Sequence, residues 1–191
     1  MKPRKKIHVA LIYGSTRPGR FCDTVGAWAA ARIGDRKEFT LDIVDPATFD
    51  LTALSTGAPP PGFATRVARA DAIVVVTPEY NHSYPAVLKS LIDSLKEEWQ
   101  AKPVAFVSYG GLSGGVRAVE QLRLVFAELH AVTIRDAVSF INAWEQFDEC
   151  GVLRHPERAE RSMDTLLASL RWWAGTLRHA RRIAPYSSRA A

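Results

Sequence analysis

AIVVVT, residues 72–77, is the strongest strand pattern in the chain and the stretch that decides the fold. This β-branched run has no polar alternation, which is typical of a strand buried on both faces at the centre of a parallel sheet. Pro78 ends the run, and after a polar loop Pro85 stands where a proline often opens a helix. Apolar residues then recur at helical spacing, at Val87, Leu88, Leu91, Ile92 and Leu95. The segment therefore predicts a strand, a loop and a helix in succession.

The same alternation extends to both sides of this unit. Four further apolar runs predict strands at residues 7–13, 39–44, 104–108 and 132–138. Helical spacing predicts helices at residues 22–34, around residue 67, at 116–129 and from 156 to 183. Parallel neighbours need crossover connections, and right-handed crossovers put helices on both faces, so we predict a doubly wound α/β fold with a five-stranded parallel sheet. We expect one domain over residues 1–191, an irregular segment at 139–151 and a flexible tail at about 184–191.

Composition indicates a globular protein that needs no crosslinks. Hydrophobic residues make up 47% of the 191 positions and charged residues 24%, unlike the composition of a disordered chain. Cys22 and Cys150 have no CxxC spacing and the histidines no metal-ligand spacing, so we expect neither a disulfide framework nor a metal site. No apolar run approaches the roughly 20 residues of a membrane span. The basic start at residues 1–6 leads into a strand rather than a signal-peptide core, so we expect a cytoplasmic location without a membrane partner.

The net charge is +5, and eight arginines lie between residues 154 and 189. Such a surface could attract nucleic acid, membrane phosphate or an anionic cofactor. The arginines are not interleaved with base-stacking aromatics and match no nucleic-acid motif, so we expect a solvated helix face and no nucleic-acid partner. A field that steers phosphate-bearing ligands is the functional alternative.

The loop after the first strand has the chemistry of a phosphate site. Its sequence, GSTRPGR at residues 14–20, combines small residues, hydroxyls and two arginines with the start of a helix. Backbone N–H groups, the positive end of the helix dipole and a guanidinium all favour a phosphate. The loop lacks the GxGxxG spacing of a dinucleotide site and the lysine of a P-loop, and a plain turn with chance arginines is the alternative.

Unusual loops also follow the third and fourth strands, at the edge where such sheets bind ligands. Residues 77–85, TPEYNHSYP, are bracketed by prolines that restrict the backbone, and could lie along the edge of a planar heterocycle. Residues 108–115, SYGGLSGG, contain four glycines that would let the backbone approach a ligand closely. Each loop alone is weak support for a site.

Taken together, the segments GSTRPGR, PEYNHSYPAVLKSLID and SYGGLSGGVRAVEQLR resemble the NADPH-dependent FMN reductase family, which includes flavin, quinone, chromate and azo-dye reductases. The similarity spans about residues 7 to 138 and preserves the order and spacing of the segments. It implies a flavodoxin-like fold with strand order 2-1-3-4-5. It also implies an FMN cofactor, with NADPH or NADH as the hydride donor.

The resemblance assigns residues of all three loops to FMN. The phosphate would be held by Ser15 and Arg17 and by the backbone around Arg20, Phe21 and Cys22. The edge of the isoalloxazine ring would be lined, largely through main-chain N–H groups, by Pro78, Glu79, Tyr80, Asn81 and Ser83. The other side of the cofactor would be closed by Ser108, Tyr109, Gly110 and Gly111. Family members often have a serine three residues beyond the loop arginine, where this chain has Arg20.

The implied function is hydride transfer from NAD(P)H through FMN to a small acceptor such as a quinone, a flavin or an azo compound. The flavin accepts the hydride itself, so no catalytic side chain is expected. A flavodoxin-type electron carrier and a non-catalytic FMN-binding module are the alternatives. Electron carriers of that type are usually acidic with a threonine-rich phosphate loop, whereas this chain is basic and has Arg17 there.

The resemblance also suggests a homodimer or a dimer of dimers, with Glu79 and Asp93 as candidate subunit contacts. Two further positions stay open at this stage. Trp144 and Phe147, within residues 139–151, could cover the site or belong to a subunit contact.

Overall fold

The computed structural model describes residues 6–186 and contains one parallel sheet. Its strands are β1 (Ile7–Tyr13), β2 (Phe39–Val44), β3 (Ala72–Pro78), β4 (Pro103–Gly110) and β5 (Val132–Ile141). They lie in the order β2-β1-β3-β4-β5, and each neighbouring pair is parallel. This topology confirms the predicted fold. The strand order reverses between β1 and β3, which is where ligands bind in open α/β sheets.

Helices cover both faces of the sheet. In the described chain they are α1 (Cys22–Gly34), α2 (Phe63–Arg69), α3 (Ala86–Asp93), α4 (Val116–Glu128), α5 (Ala143–Gln146) and α6 (Glu157–Ile183). One apolar core lies between the sheet and α1 and α6, and a second core lies between the sheet and α2, α3 and α4. These two cores account for the uniformly apolar pattern of β3.

Alternate residues of β3 enter opposite cores. Val74 and Val76 pack with the residues of α1 and α6, whereas Ile73 and Val75 pack with α2, α3 and α4. All four side chains are fully buried. Because each face of the strand meets a helix layer, neither face has room for a polar side chain.

The end of β5 differs from the prediction. The strand continues to Ile141 rather than ending at residue 138, and its last three residues pair with residues 108–110 of β4. The expected irregular segment also contains the short helix α5. The extra pairing is made by backbone hydrogen bonds to β4 and does not depend on the side chains of Ser139 and Ile141. The pattern of side chains therefore did not indicate where the strand ends.

Tyr186, three residues after the end of α6, packs against the rest of the protein. The hydroxyl of Tyr186 lies 2.6 Å from Nδ1 of His130, and the two rings meet edge to face. The rest of the expected flexible tail, residues 187–191, lies outside the described residues, as do residues 1–5.

None of the helices between residues 6 and 186 combines the length and apolar content needed to cross a membrane. In the same part of the chain, no three or more His, Cys, Asp and Glu side chains are grouped to hold a metal ion.

Candidate functional site

The loops that follow β1 and β3 are in direct contact. The hydroxyls of Ser15 and Tyr80 share a hydrogen bond of 2.9 Å. The guanidinium of Arg17 stacks on the same tyrosine, with its carbon 3.6 Å from the ring centroid. Gly14 donates its N–H to the carbonyl of Val76 at 2.7 Å, which joins the two strand ends through the backbone. The predicted phosphate loop and the predicted ring loop therefore form one surface.

Glu79 joins the β3 loop to the glycine-rich β4 loop. Its carboxylate accepts hydrogen bonds from the Ser113 hydroxyl at 2.6 Å, from the Arg117 backbone N–H at 3.2 Å and from the Arg117 guanidinium at 3.0 Å. Its own N–H donates to the carbonyl of Tyr109 at 3.1 Å. Burial alone would raise the pKa of Glu79, but the hydrogen bonds from Ser113 and Arg117 outweigh burial, and the net shift is downward.

The start of α1 is suited to an anion. The helix begins at Cys22, and no side chain caps its N-terminal N–H groups. Arg17 is exposed in the preceding loop, and Ser15 is buried at the loop's base with its hydroxyl fixed by Tyr80. Uncapped N–H groups at the positive end of a helix, a hydroxyl and a guanidinium together fit a phosphate group.

The β3 loop is a tight reverse turn. Tyr80 and Ser83 exchange backbone hydrogen bonds of 2.8 and 3.0 Å, and the two residues between them, Asn81 and His82, have φ values of 50° and 68°. The turn is tied to α4, because Gln121 accepts from the Ser83 hydroxyl at 2.6 Å and donates to the His82 carbonyl at 2.8 Å. Within residues 6–186, the N–H groups of Asn81 and His82 donate to no protein atom. The turn is therefore rigid and has free donors.

The β4 loop is held close to the end of β4 by its glycines. Gly115 has φ 85°, and a Cβ there would lie 2.8 Å from the Tyr109 nitrogen. The Gly114 carbonyl accepts from the hydroxyls of Ser108 at 2.9 Å and Ser139 at 2.8 Å. Ser108 and Tyr109 are buried, with the Ser108 hydroxyl donating to the Gly114 carbonyl and the Tyr109 ring packed against Phe21. Gly110 and Gly111 bring the backbone to the same edge.

The side chains of Arg20, Phe21 and Cys22 point into the protein. Arg20 is engaged by carboxylates, and Phe21 packs against the rings of Tyr109 and Phe147. Cys22 is fully buried, and burial raises the pKa of its thiol to about 11. The prediction that the backbone of these residues contacts the phosphate remains a prediction.

An apolar rim beside the glycine-rich loop includes Trp144, which the sequence left open between covering the site and a subunit contact, together with Leu112 and Ile141, which were not predicted. We use this name for Leu112, Ile141 and Trp144, whose side chains are 86%, 49% and 57% exposed. The Asn142 N–H donates to the Gly111 carbonyl at 3.1 Å, and a Cβ on Gly111 would lie 3.6 Å from the Trp144 ring. The only signal in the sequence is a tryptophan shortly after an edge strand, and its neighbour in space depends on the unpredicted end of β5.

A hollow at the opposite edge of the sheet is one alternative place for a ligand. It has a volume of about 650 Å³ and lies near the start of β1, between Ile7 and the Trp172 face of α6. No loop from a strand's carboxyl end reaches it, and ligands of open α/β sheets bind at those ends. We therefore assign the site to the three converging loops.

Comparison with known proteins shows the family to which the chain is similar. The sequence profile of the family described as NADPH-dependent FMN reductase matches residues 7–145. An NAD(P)H-dependent FMN reductase of Schizosaccharomyces pombe is 35% identical over 119 residues, which are 56% of this chain and 60% of that protein. An NAD(P)H:quinone oxidoreductase of Solanum tuberosum is 34% identical over 185 residues, or 88% of this chain and 93% of its own.

Solved structures agree on the fold. A flavoenzyme NAD(P)H:(acceptor) oxidoreductase from Paracoccus denitrificans superposes with a TM-score of 0.70, at 19% identity, over 89% of this chain and 98% of its own. An NADH:FMN oxidoreductase in its apo form gives a TM-score of 0.72, also at 19% identity, over 86% and 90% of the two chains. The flavodoxin-like architecture expected from the sequence is thus confirmed.

The Glu79 contacts generate a pH-dependent prediction. Because its folded-state pKa lies below the ordinary value of 4.5, the ionised carboxylate stabilises the folded protein fully above that value, and the contribution is lost as pH falls through the lowered pKa. Glu79→Gln should therefore be less stable than the wild type by a constant amount between about pH 7 and pH 5, with the gap closing in more acidic buffer. Urea unfolding across this range measures the gap. Glu128→Gln, at an exposed glutamate of α4, is the control, and a similar gap there would contradict the assignment.

Proposed function

Because this chain belongs to the NADPH-dependent FMN reductase family, we propose that it is an FMN-dependent NAD(P)H oxidoreductase that reduces a small planar acceptor, with quinones as the preferred class. The observation that carries the proposal is the convergence of the three loops. Ser15 touches Tyr80, and Glu79 binds Ser113 and Arg117, so the loops form one continuous ligand surface.

The phosphate of FMN is held at the first loop. Arg17 supplies a positive charge, Ser15 a hydroxyl, and the first turn of α1 its uncapped N–H groups. A guanidinium binds a phosphate through two parallel hydrogen bonds, and such charge-assisted bonds are the strong ones in proteins. The stacking of Arg17 on Tyr80 links this group to the loop that receives the ring.

The ring of FMN is oriented by the backbone of the other two loops. The turn at residues 80–83 presents free N–H groups, and Gly110 and Gly111 allow close approach because they have no side chain. When bound, FMN supplies the hydride-accepting ring, so the protein needs no acid–base pair of side chains. The contribution of this chain is to orient the ring and to exclude water from one side of it.

The apolar rim favours a hydrophobic acceptor. Trp144 exposes an apolar ring beside Gly111, Leu112 is the next residue of the loop, and Ile141 pairs with Gly110. Exposed apolar surface gathered in this way is a feature of binding sites. A flat aromatic compound can stack on an indole ring, whereas a hydrophilic anion gains little from it. The name of the Solanum tuberosum relative points to the same class of acceptor.

We also infer a homodimer or a dimer of dimers, and a cytoplasmic location. Val116 and Leu124 expose apolar side chains on α4, which suits a subunit contact. Asp93 forms an ion pair of 2.5 Å with Lys89 inside α3, and Glu79 is occupied within its own chain, so neither carboxylate needs a partner subunit. Two free cysteines are compatible with a reducing compartment.

The proposed reaction can be tested directly. Apoprotein reconstituted with FMN should show the visible bands of a bound flavin and should oxidise NADPH or NADH when a quinone is present. The same protein without FMN serves as the control. A protein that binds FMN but shows no steady-state oxidation of either donor would be an electron carrier or a binding module instead.

Arg17→Ala should weaken FMN binding by about 1.5–3 kcal/mol, the range for hydrogen bonds to charged groups. Titration of the apoprotein followed by quenching of flavin fluorescence measures the dissociation constant. Riboflavin, which lacks the phosphate, should bind the variant and the wild type equally. Arg135→Ala, at an arginine that is 96% exposed on β5, is the matched control. An unchanged FMN affinity in Arg17→Ala would remove this residue from the site.

Trp144→Ala should raise KM for a hydrophobic quinone by about 2- to 10-fold, which corresponds to the 0.5–1.5 kcal/mol of an aromatic contact. Reduction of ferricyanide, which has no aromatic ring, should be unaffected, and so should FMN affinity. Trp172→Ala, at a similarly exposed tryptophan on α6, is the control. Equal changes with both acceptors, or dissociation of an oligomer in the Trp144 variant, would exclude Trp144 as an acceptor contact.

A further inference from the structure

Arg20 lies in the same loop as Arg17 but in a different environment. Its side chain is only 7% exposed. The two terminal nitrogens bind both oxygens of Asp45, at 2.8 and 2.5 Å, and Nε donates to Asp23 at 2.8 Å. One terminal nitrogen also donates to the carbonyl of Ser15, and the other lies 2.7 Å from Asp23.

These contacts engage all three nitrogens of the guanidinium. It donates four hydrogen bonds, to Asp45, Asp23 and Ser15, and makes one further ion-pair contact with Asp23. Two carboxylates also compensate its single positive charge. Arg20 therefore has no uncompensated charge to offer to a phosphate, and most of its five donors are already used.

Asp45, which binds Arg20, is itself held in place by the backbone. It follows the last residue of β2, and one of its oxygens also accepts the N–H of Ala47 at 2.9 Å. Burial alone would raise the pKa of Asp45, but the hydrogen bonds from Arg20 and Ala47 outweigh it and lower the pKa, so the carboxylate is ionised at neutral pH. The end of β2 is thereby linked through Arg20 to the peptide of Ser15.

We propose that Arg20 is a positioning residue for the cofactor phosphate: held by Asp45 and Asp23, it fixes the Ser15 peptide and so sets the shape of the loop, while Arg17 meets the phosphate charge. This inference rests on the proposed function. It assigns different roles to two arginines three residues apart.

The test compares FMN and riboflavin binding to apoprotein variants. Arg20→Ala and Asp45→Asn should each weaken FMN binding about 10-fold or more, because a small displacement of a binding group has effects of this size. Riboflavin binding should change little, since it has no phosphate to misplace. Arg20→Lys keeps a charge near Asp45 but cannot make all five contacts, so we expect an intermediate effect.

The double variant, Arg20→Ala with Asp45→Asn, should bind FMN no more weakly than the worse single variant, because both changes break one linkage. Arg32→Ala is the matched control: Arg32 lies in α1 and also pairs with two carboxylates, Glu160 and Asp164, but away from the loop. Its FMN-to-riboflavin affinity ratio should equal that of the wild type.

Three outcomes would overturn the inference. If Arg20 were itself a phosphate ligand, Asp45→Asn would release it and leave FMN binding unchanged or tighter. If the role were only structural, FMN and riboflavin binding would fall in parallel with the thermal stability of the apoprotein. Unchanged FMN-to-riboflavin ratios in all three single variants would show that the loop does not depend on Arg20. A wild-type protein that binds no FMN would refute the proposed function itself, and that result is seen before any variant is made.

Discussion

Parallel hydrogen bonding of β3 to β1 on one side and to β4 on the other brings the carboxyl ends of three strands to one edge of the sheet. The loops that follow these strands lie far apart along the chain but side by side in space. Burial on both faces fixes the register, since a shift of β3 by one residue would exchange its two sets of apolar side chains between the cores. The position of every site residue depends on this pairing.

Polar contacts, rather than a closed pocket, give the site its shape. Tyr80 joins the first loop to the second, and Glu79 joins the second to the third. The Ser15–Tyr80 and Ser113–Glu79 bonds are partly buried, and a hydrogen bond is electrostatically stronger where water is partly excluded. A surface built in this way is rigid before a ligand arrives, so less conformational entropy is lost on binding.

The division of charge within the first loop shows how tertiary contacts change the meaning of a sequence motif. By residue type alone, the two arginines in GSTRPGR offer the same chemistry to a phosphate, and only the family resemblance separated Arg17 from Arg20. In the fold, Arg17 stays exposed above Tyr80, whereas Arg20 is buried against Asp45, 25 residues further along the chain. A local motif contains no information about a partner at that distance. The place of Trp144 also depends on a distant contact, because its ring reaches Gly111 only through the extended pairing of β5 with β4.

The sequence by itself determined the alternation of strands and helices, the central place of residues 72–77 and the three loops that carry the chemistry. These features follow from local periodicity, from proline and glycine positions and from the residue types at strand ends, all of which act over a few residues. Only the tertiary structure decided which atoms of those loops face a ligand. The side chains of Ser108 and Tyr109 are buried. Glu79 joins the second and third loops through Ser113, and Arg20 is paired with Asp45 inside the protein. Each of these outcomes depends on contacts between distant segments, which exist only once the sheet has assembled.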